Sequence, residues 1–437
     1  RRSFGGLWLL LGEHRLAGDI VLEKGFVPIG TINIDMPDIG PLAALALETA
    51  EGDVRGRIDF TRSGDVPQVT VELNTAQLKR GDLAANSVAV NADVLNYLKA
   101  PAISGTVKAK SVTSGKTVIS GIDVALKRDG EWTGFTGGAT VADIPAKAAG
   151  RLKLAGGKTT IELASGEATV RGIRAAIARP TTVSIAGGTT TLDRLALNLG
   201  GGTATISGTA GSALDLNVVL ADVPASLANT FSPALGAAGS ISGTVKVTGA
   251  AANPTVGYDL RVAGAATSQT RNAGFGVMNI GSTGTFAGGR LTFQSTIADA
   301  SGLALRGGGT VVTSSKPATL DLRFDGPVPF AFLTRTLAAQ GMSLNGTANV
   351  DVQIRGAATS PVISGTVRSS GARLVSAQMG LAINDINLDV GIAAGVARIN
   401  RLTGSLSTGG SLSASGTIGT DAAQGFPADI TIKLTDG

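Results

Sequence analysis

The sequence predicts an all-β protein, an elongated and curled sheet with a few short helices, and three observations predict it. Apolar and polar residues alternate with period two along most of the chain, as strands with one dry and one wet face require. The pentapeptide Ile-Ser-Gly-Thr-Val occurs at 103–107, 241–245 and 363–367, each time inside a glycine-rich alternating stretch, which marks a structural repeat. Of the 437 residues, 62 are glycine and only 4% are aromatic. Aromatic side chains dominate thick cores, so this chain has to be stabilised by aliphatic faces and backbone hydrogen bonds, which suits a single-layer or solenoid build.

Taken in order, the apolar run at 7–11 falls far short of the ~18 consecutive apolar residues of a membrane helix. Arg1 and Arg2 ahead of it resemble the start of a signal peptide, but the apolar region is short and no small-residue cleavage site follows. With no initiator Met, the chain reads as a fragment whose anchor or export signal lies elsewhere. Helical spacing is confined to 41–48, 226–235 and 329–339, where Phe330, Leu333 and Leu337 share a face. Each helix follows an Asp/Pro turn, with Asp38 placed to cap the first, and precedes an apolar-x-Gly step: Val54-x-Gly56, Ile241-x-Gly243 and Leu344-x-Gly346. Strands are expected at 69–73, 122–126, 195–199, 214–220, 258–262, 320–324, 350–354, 386–392 and 430–434. Turn signals such as Asp129-Gly130 and Asn345-Gly346 separate them. No linker interrupts the pattern, so residues 1–437 read as one continuous β segment with internal units near 38–221, 222–324 and 325–437.

Catalytic motifs come near and fail. Gly115-Lys116-Thr117 and Gly157-Lys158-Thr159 imitate the end of a phosphate-binding loop, but Lys110 and Leu152 stand where its first glycine belongs, so both read as turns. Gly274-Phe275-Gly276 lacks the third glycine of a dinucleotide fingerprint and reads as a bulge or turn. His14, the only histidine, has no nucleophile elbow to serve and reads as an exposed turn residue. Asp35 with Asp38, and Asp429 with Asp436, lack the clustering of a calcium loop. Asn345-Gly346-Thr347 matches a glycosylation acceptor but serves equally as a turn. Without cysteine there are no disulfides or thiolate sites. The 37 Lys and Arg are scattered without basic runs, which argues against nucleic acid. The expectation is therefore a protein that is not an enzyme and carries no cofactor or metal.

What remains is a large aliphatic face. Charged residues are 16% and mean hydropathy is +0.26, so much apolar surface has to be hidden. With strands every 11 to 13 residues the chain would hold roughly 35, a sheet on the order of 160 Å at ~4.8 Å spacing. A flat sheet of that size with a bare aliphatic face aggregates, so it must curl or be covered. Curling gives either a closed β-helix with a filled core or an open groove. A groove would take acyl chains, at ~0.8 kcal/mol per buried methylene, with headgroups at its open edge. Its expected lining is Val69, Val71, Leu73, Leu214, Leu216, Val218, Val245, Val247, Leu260, Val262, Leu320, Leu322, Val350, Val352, Ile354, Leu388, Val390, Ile430, Ile432 and Leu434. In each Ile-Ser-Gly-Thr-Val copy the glycine is expected to bend the strand around this channel.

The segment 325–437 carries a helix at 330–337, the turn 356–361, Ile-Ser-Gly-Thr-Val and the alternation at 388–392. It ends on a Gly409-Gly410-x-Leu412-x-x-x-Gly416 step and Phe426-Pro427-Ala428-Asp429-Ile430. It resembles the TamB family, the inner-membrane component of the translocation and assembly module in the AsmA-like superfamily, and the unit at 222–264 repeats the pattern. The resemblance implies a β-taco with an apolar interior, a periplasmic location, and an inner-membrane anchor missing from this chain. It also implies phospholipid transport, support of outer-membrane protein assembly, and TamA, an Omp85-type outer-membrane protein, as partner through parts outside this fragment. Alternatives left open are a closed β-helix adhesin or autotransporter passenger, an outer-membrane barrel, for which aromatic girdle residues are few, and a scaffold that guides unfolded outer-membrane proteins by strand addition.

Overall fold

Strand follows strand through a computed structural model that describes residues 2–11, 13–23, 26–45, 47–115, 117–419 and 427–435. Arg1, Lys116, Phe426 and Asp436, all named above, lie outside the described residues, as does Ala46 of the 41–48 helix. Among the described residues, thirty strands, from Arg2–Leu11 to Ala428–Thr435, are joined by short turns and interrupted by a few short helices. The chain is all-β. It divides into two compact units, Arg1–Ser212 and Ala213–Gly437.

In each unit the strands form an antiparallel meander, and the register sorts their side chains onto two faces. In the first unit one cross-strand row runs Leu16, Ile34, Gly56, Leu73, Val90, Val107, Val124, Gly137. In the second a row runs Val218, Val245, Tyr258, Gly284, Phe293, Gly309, Leu322, Ile354, Ile363. Side chains directly opposite share a face. The period-two pattern of the sequence therefore gathers aliphatic side chains in rows on one face, interrupted by glycine and serine, and most Asp, Arg and Lys fall on the other.

The three repeated pentapeptides share one backbone device. Gly105, Gly243 and Gly365 have φ of +143°, +144° and +149°, a region that L side chains avoid. A Cβ there would lie 2.0, 2.1 and 2.0 Å from the carbonyl oxygens of Asn91, Asp259 and Asp351 on the neighbouring strand. Only glycine lets the backbones approach so closely. Around the first copy the sheet curls: the Ile103 N–H donates to Thr133 Oγ1 at 2.8 Å, although the Thr117–Asp129 strand lies between their two strands.

The expected strands all form, and the helices depart in detail. The 41–48 helix is Gly40–Leu45, and Asp38 Oδ1 accepts from Gly40 N–H at 2.9 Å. The 226–235 segment is two 3-10 pieces, Ala225–Thr230 and Pro233–Leu235, because Pro233 has no N–H to donate and disfavours helical Ser232 before it. At 329–339 a 3-10 turn, Phe330–Leu333, leads into the α-helix Thr334–Ala338. Asn345-Gly346 is not a hairpin turn. Met342–Asn345 and Thr347–Ala357 both pair with Val362–Ser376, so the dipeptide is a kink along one strand path, with Gly346 at φ +129°. His14 is half-buried at the start of a strand rather than an exposed turn, and its Nδ1 accepts from Asp38 N–H at 3.3 Å.

Candidate functional site: a two-faced sheet

Few side chains are fully buried. The buried apolar residues include Ala102, Ala109, Ala196, Ala204, Ala348 and Ala372, and the largest side chains that are wholly enclosed are Met36 and Thr133. The aliphatic rows stay half-buried: among the expected lining residues only Val69 is buried, at 8% exposure. Val71, Leu73, Leu214, Leu216, Val218, Val245, Val247, Leu260, Val262, Leu320, Leu322, Val350, Val352, Ile354, Leu388 and Val390 are all half-buried. Ile430, Ile432 and Leu434 are 42%, 62% and 64% exposed on the strand Ala428–Thr435, which among the described strands pairs only with Ser411–Gly419. Register brings the expected residues of each unit onto one face, since Val352 sits between Phe324 and Gly365, and Val350 between Gly326 and Val367.

The same face takes in residues that the expected lining omits. Phe286, Leu291 and Val311 bridge Val256 to Leu320, while Ile280 and Ile297 bridge Val262 to Leu305. Their signal is the Leu291-x-Phe293-x-Ser295-x-Ile297 alternation, diluted by Ser282, Ser295 and Gly284 in the neighbouring positions.

The opposite face is held by ion pairs between adjacent strands. Lys108 lies 3.3 Å from Asp123, Arg151 2.6 Å from Glu162, Arg323 2.7 Å from Asp351, Arg355 3.0 Å from Asp321 and Arg368 3.1 Å from Asp389. All are well exposed, so each contributes little singly. Together they keep this face wet and fix its orientation. The Arg323 hydrogen bonds hold the Asp351 carboxyl below its ordinary value of 3.8, against desolvation and with help from the charges of Arg323 and Arg368. Asn400 and Arg368 do the same for Asp389, and Arg57 with Thr31 for Asp59. A carboxyl whose folded pKa is depressed contributes stability above its unfolded value and loses it as pH falls through the folded one. Unfolding by urea is therefore expected to need less denaturant at pH 3 than at pH 7, and Asp351→Asn, which cannot titrate, should narrow that difference.

One end of the second unit's strands carries a rail of short segments. Arg271 Nη2 donates to Gly236 O at 2.8 Å, and a helix at Ser268–Asn272, not expected from the sequence, is capped reciprocally by Thr267 and Thr270. The ring of Phe275 stacks on Phe332 at 4.9 Å and 11°, beside a cavity of about 330 Å³ bordered by Asp299, Leu303 and Pro329. Ala265, Met278 and Leu303 form the buried cluster beneath. Phe332→Ala should cost about 2 kcal/mol, below the range for a fully buried ring, and should raise amide exchange at Leu303, whose N–H donates to Asp299 Oδ1 at 3.0 Å.

Two shallow depressions in the first unit, of about 570 and 640 Å³, are lined by Gly134, Ala149 and Gly138 between charged residues such as Lys127, Arg151, Glu162, Lys147 and Glu167. Their mixed lining lacks convergent catalytic groups. Among the described residues, no group of three or more His, Asp or Glu side chains is placed to hold a metal ion, and no helix is long and apolar enough to cross a membrane. No known family model matches the chain, and no curated protein matches it.

Proposed function

We propose that the aliphatic face of each unit is a lipid-binding groove surface, and that the chain is a segment of a protein conducting phospholipids across the periplasm between inner and outer membranes. The observation that supports this reading is the continuity of the half-exposed aliphatic rows from strand to strand, opposite a face laced with ion pairs. Such rows offer no directional contacts, so they accept an acyl chain in any register, each covered methylene adding ~0.8 kcal/mol. The competing reading, a closed β-helix adhesin or passenger, stacks parallel coils around a filled core. Here the named strands pair antiparallel, and the aliphatic rows keep part of their surface in reach of a ligand.

Placement in a TamB-like protein rests on the resemblance of 325–437, whose pattern the unit at 222–264 repeats. On that reading the anchor in the inner membrane and the contact with TamA belong to other parts of the protein. Support of outer-membrane protein assembly is a second role for the same sheet. Native mass spectrometry of the purified chain tests the reading: phospholipid masses should accompany the protein and be restored when lipid is added back after stripping. A chain that neither carries nor regains lipid would overturn it.

A further inference from the structure

In the first unit, the aliphatic rows end where the strands His14–Leu22, Val54–Ser63, Leu83–Leu95 and Thr117–Asp129 end. All four strands run toward the same end of the sheet, since consecutive strands alternate direction. Three polar side chains stand at that end of the apolar face. Arg62 follows Phe60 on that face, and Arg128 follows Leu126. Tyr97 packs its ring edge-on against Phe60 at a centroid distance of 6.2 Å.

Their hydrogen-bonding state is unusual for an aliphatic surface. The Tyr97 hydroxyl and Arg128 Nε are buried with no hydrogen-bond partner. Arg128 donates elsewhere only through Nη2, in a long 3.5 Å bond to Asp93 O, and no carboxylate of the described residues pairs with it. Arg62 lies 3.1 Å from Glu23 through Nε, with side-chain exposures of 28% and 36%. Burial raises the Tyr97 pKa, against the pull of Arg62, so the phenol keeps its proton and can donate. A guanidinium has donors only, and leaving buried donors unmet costs stability. Donors held unmet at the edge of an apolar surface fit a ligand that brings its own acceptors.

We infer that this end of the first unit's apolar face binds the phosphate head of an anionic lipid whose acyl chains lie on the rows running from Phe60, Val69 and Val94. The inference rests on the groove reading above and adds a head-group preference and its place. Phosphate oxygens accept the forked guanidinium donors and the phenol proton, while the chains start where Phe60, Val69, Val94 and Ile103 stand side by side.

The test compares two lipids with the same chains. Delipidated protein is titrated with dioleoyl phosphatidic acid and with dioleoylglycerol, and bound lipid is read by native mass spectrometry. Wild type should bind the phosphatidic acid about tenfold more tightly, the effect of ~1.4 kcal/mol. Arg62→Gln with Arg128→Gln should erase the difference while leaving dioleoylglycerol binding unchanged. Tyr97→Phe, which keeps the ring on Phe60, should reduce the preference in part. Arg55→Gln with Arg57→Gln removes the same charge from the opposite face and should keep the preference, and millimolar inorganic phosphate should not displace the lipid. Equal binding of the two lipids by wild type, an undiminished preference in the Arg62/Arg128 variant, or equal loss in the Arg55/Arg57 variant overturns the inference and leaves the groove reading standing. Failure of wild type to bind either lipid overturns both.

Discussion

Val352→Asp strips bound phospholipid from the second unit while leaving the sheet folded. Val352 stands in the row Phe324, Val352, Gly365, Ile392, half-buried, with aliphatic neighbours in Val350 and Ile354. A carboxylate in this row must stay hydrated, and an acyl chain lying over it would have to remove that water, a penalty of about 2–3 kcal/mol even with partial exposure. The expected loss is therefore on the order of 30- to 140-fold in lipid affinity. Because the side chain retains access to water, the fold should lose only about 1 kcal/mol. Gln353→Asp places the same charge one residue away on the opposite face, where Gln353 faces Arg323 across the strands, and should leave lipid binding as it was. Lipid retained equally by both variants would contradict an aliphatic binding face.

Gly365→Val has the largest expected effect on stability. At φ +149° a β-branched residue is strained in the backbone, and its Cβ would sit 2.0 Å from Asp351 O, a contact that only movement of the strand can relieve. The carbonyl belongs to the residue whose carboxylate pairs with Arg323 and lies near Arg368, so a shift there disturbs the polar ladder as well. A loss of about 3 kcal/mol or more is expected, read as a lowered urea midpoint for unfolding of Ala213–Gly437. Thr366→Val, the next residue but on the opposite face at an ordinary backbone angle, should change the stability by less than ~0.5 kcal/mol. A tolerated Gly365→Val would show that the repeated glycine is not the bend it is taken for.

Much of the fold was legible because period two is a strong signal when it persists. Leu214, Leu216, Val218 and Leu220 alternate with polar or exposed neighbours, and their strand, Ala213–Pro224, follows directly. The repeated glycine was legible as a special backbone position for a physical reason: a glycine between two apolar residues in a strand interior weakens it unless close backbone approach requires it. Helices were less legible. Pro233 splits one of them, and Ser268–Asn272 spans five residues whose only signal is the Thr267/Thr270 cap. The candidate face was legible in composition and incomplete in extent, since Ser282, Ser295 and Gly284 hide the continuity that register restores through Ile280, Phe293 and Ile297. The placement of Arg62, Tyr97 and Arg128 at one end of one face was not legible at all. Alternation assigns a residue to a face, but which turns meet at one end depends on the direction of every intervening strand and on the curl at Ile103 and Thr133.

Photocrosslinking along one strand tests the central claim most directly. A benzophenone side chain is placed in turn at positions 350 to 355 of Thr347–Ala357, and each protein is irradiated with radiolabelled phospholipid. A binding face predicts adducts at 350, 352 and 354, which the register puts in the aliphatic rows, and none at 351, 353 and 355, which carry Asp351, Gln353 and Arg355 on the ion-paired face. Adducts of equal yield at all six positions, or at none, would contradict it.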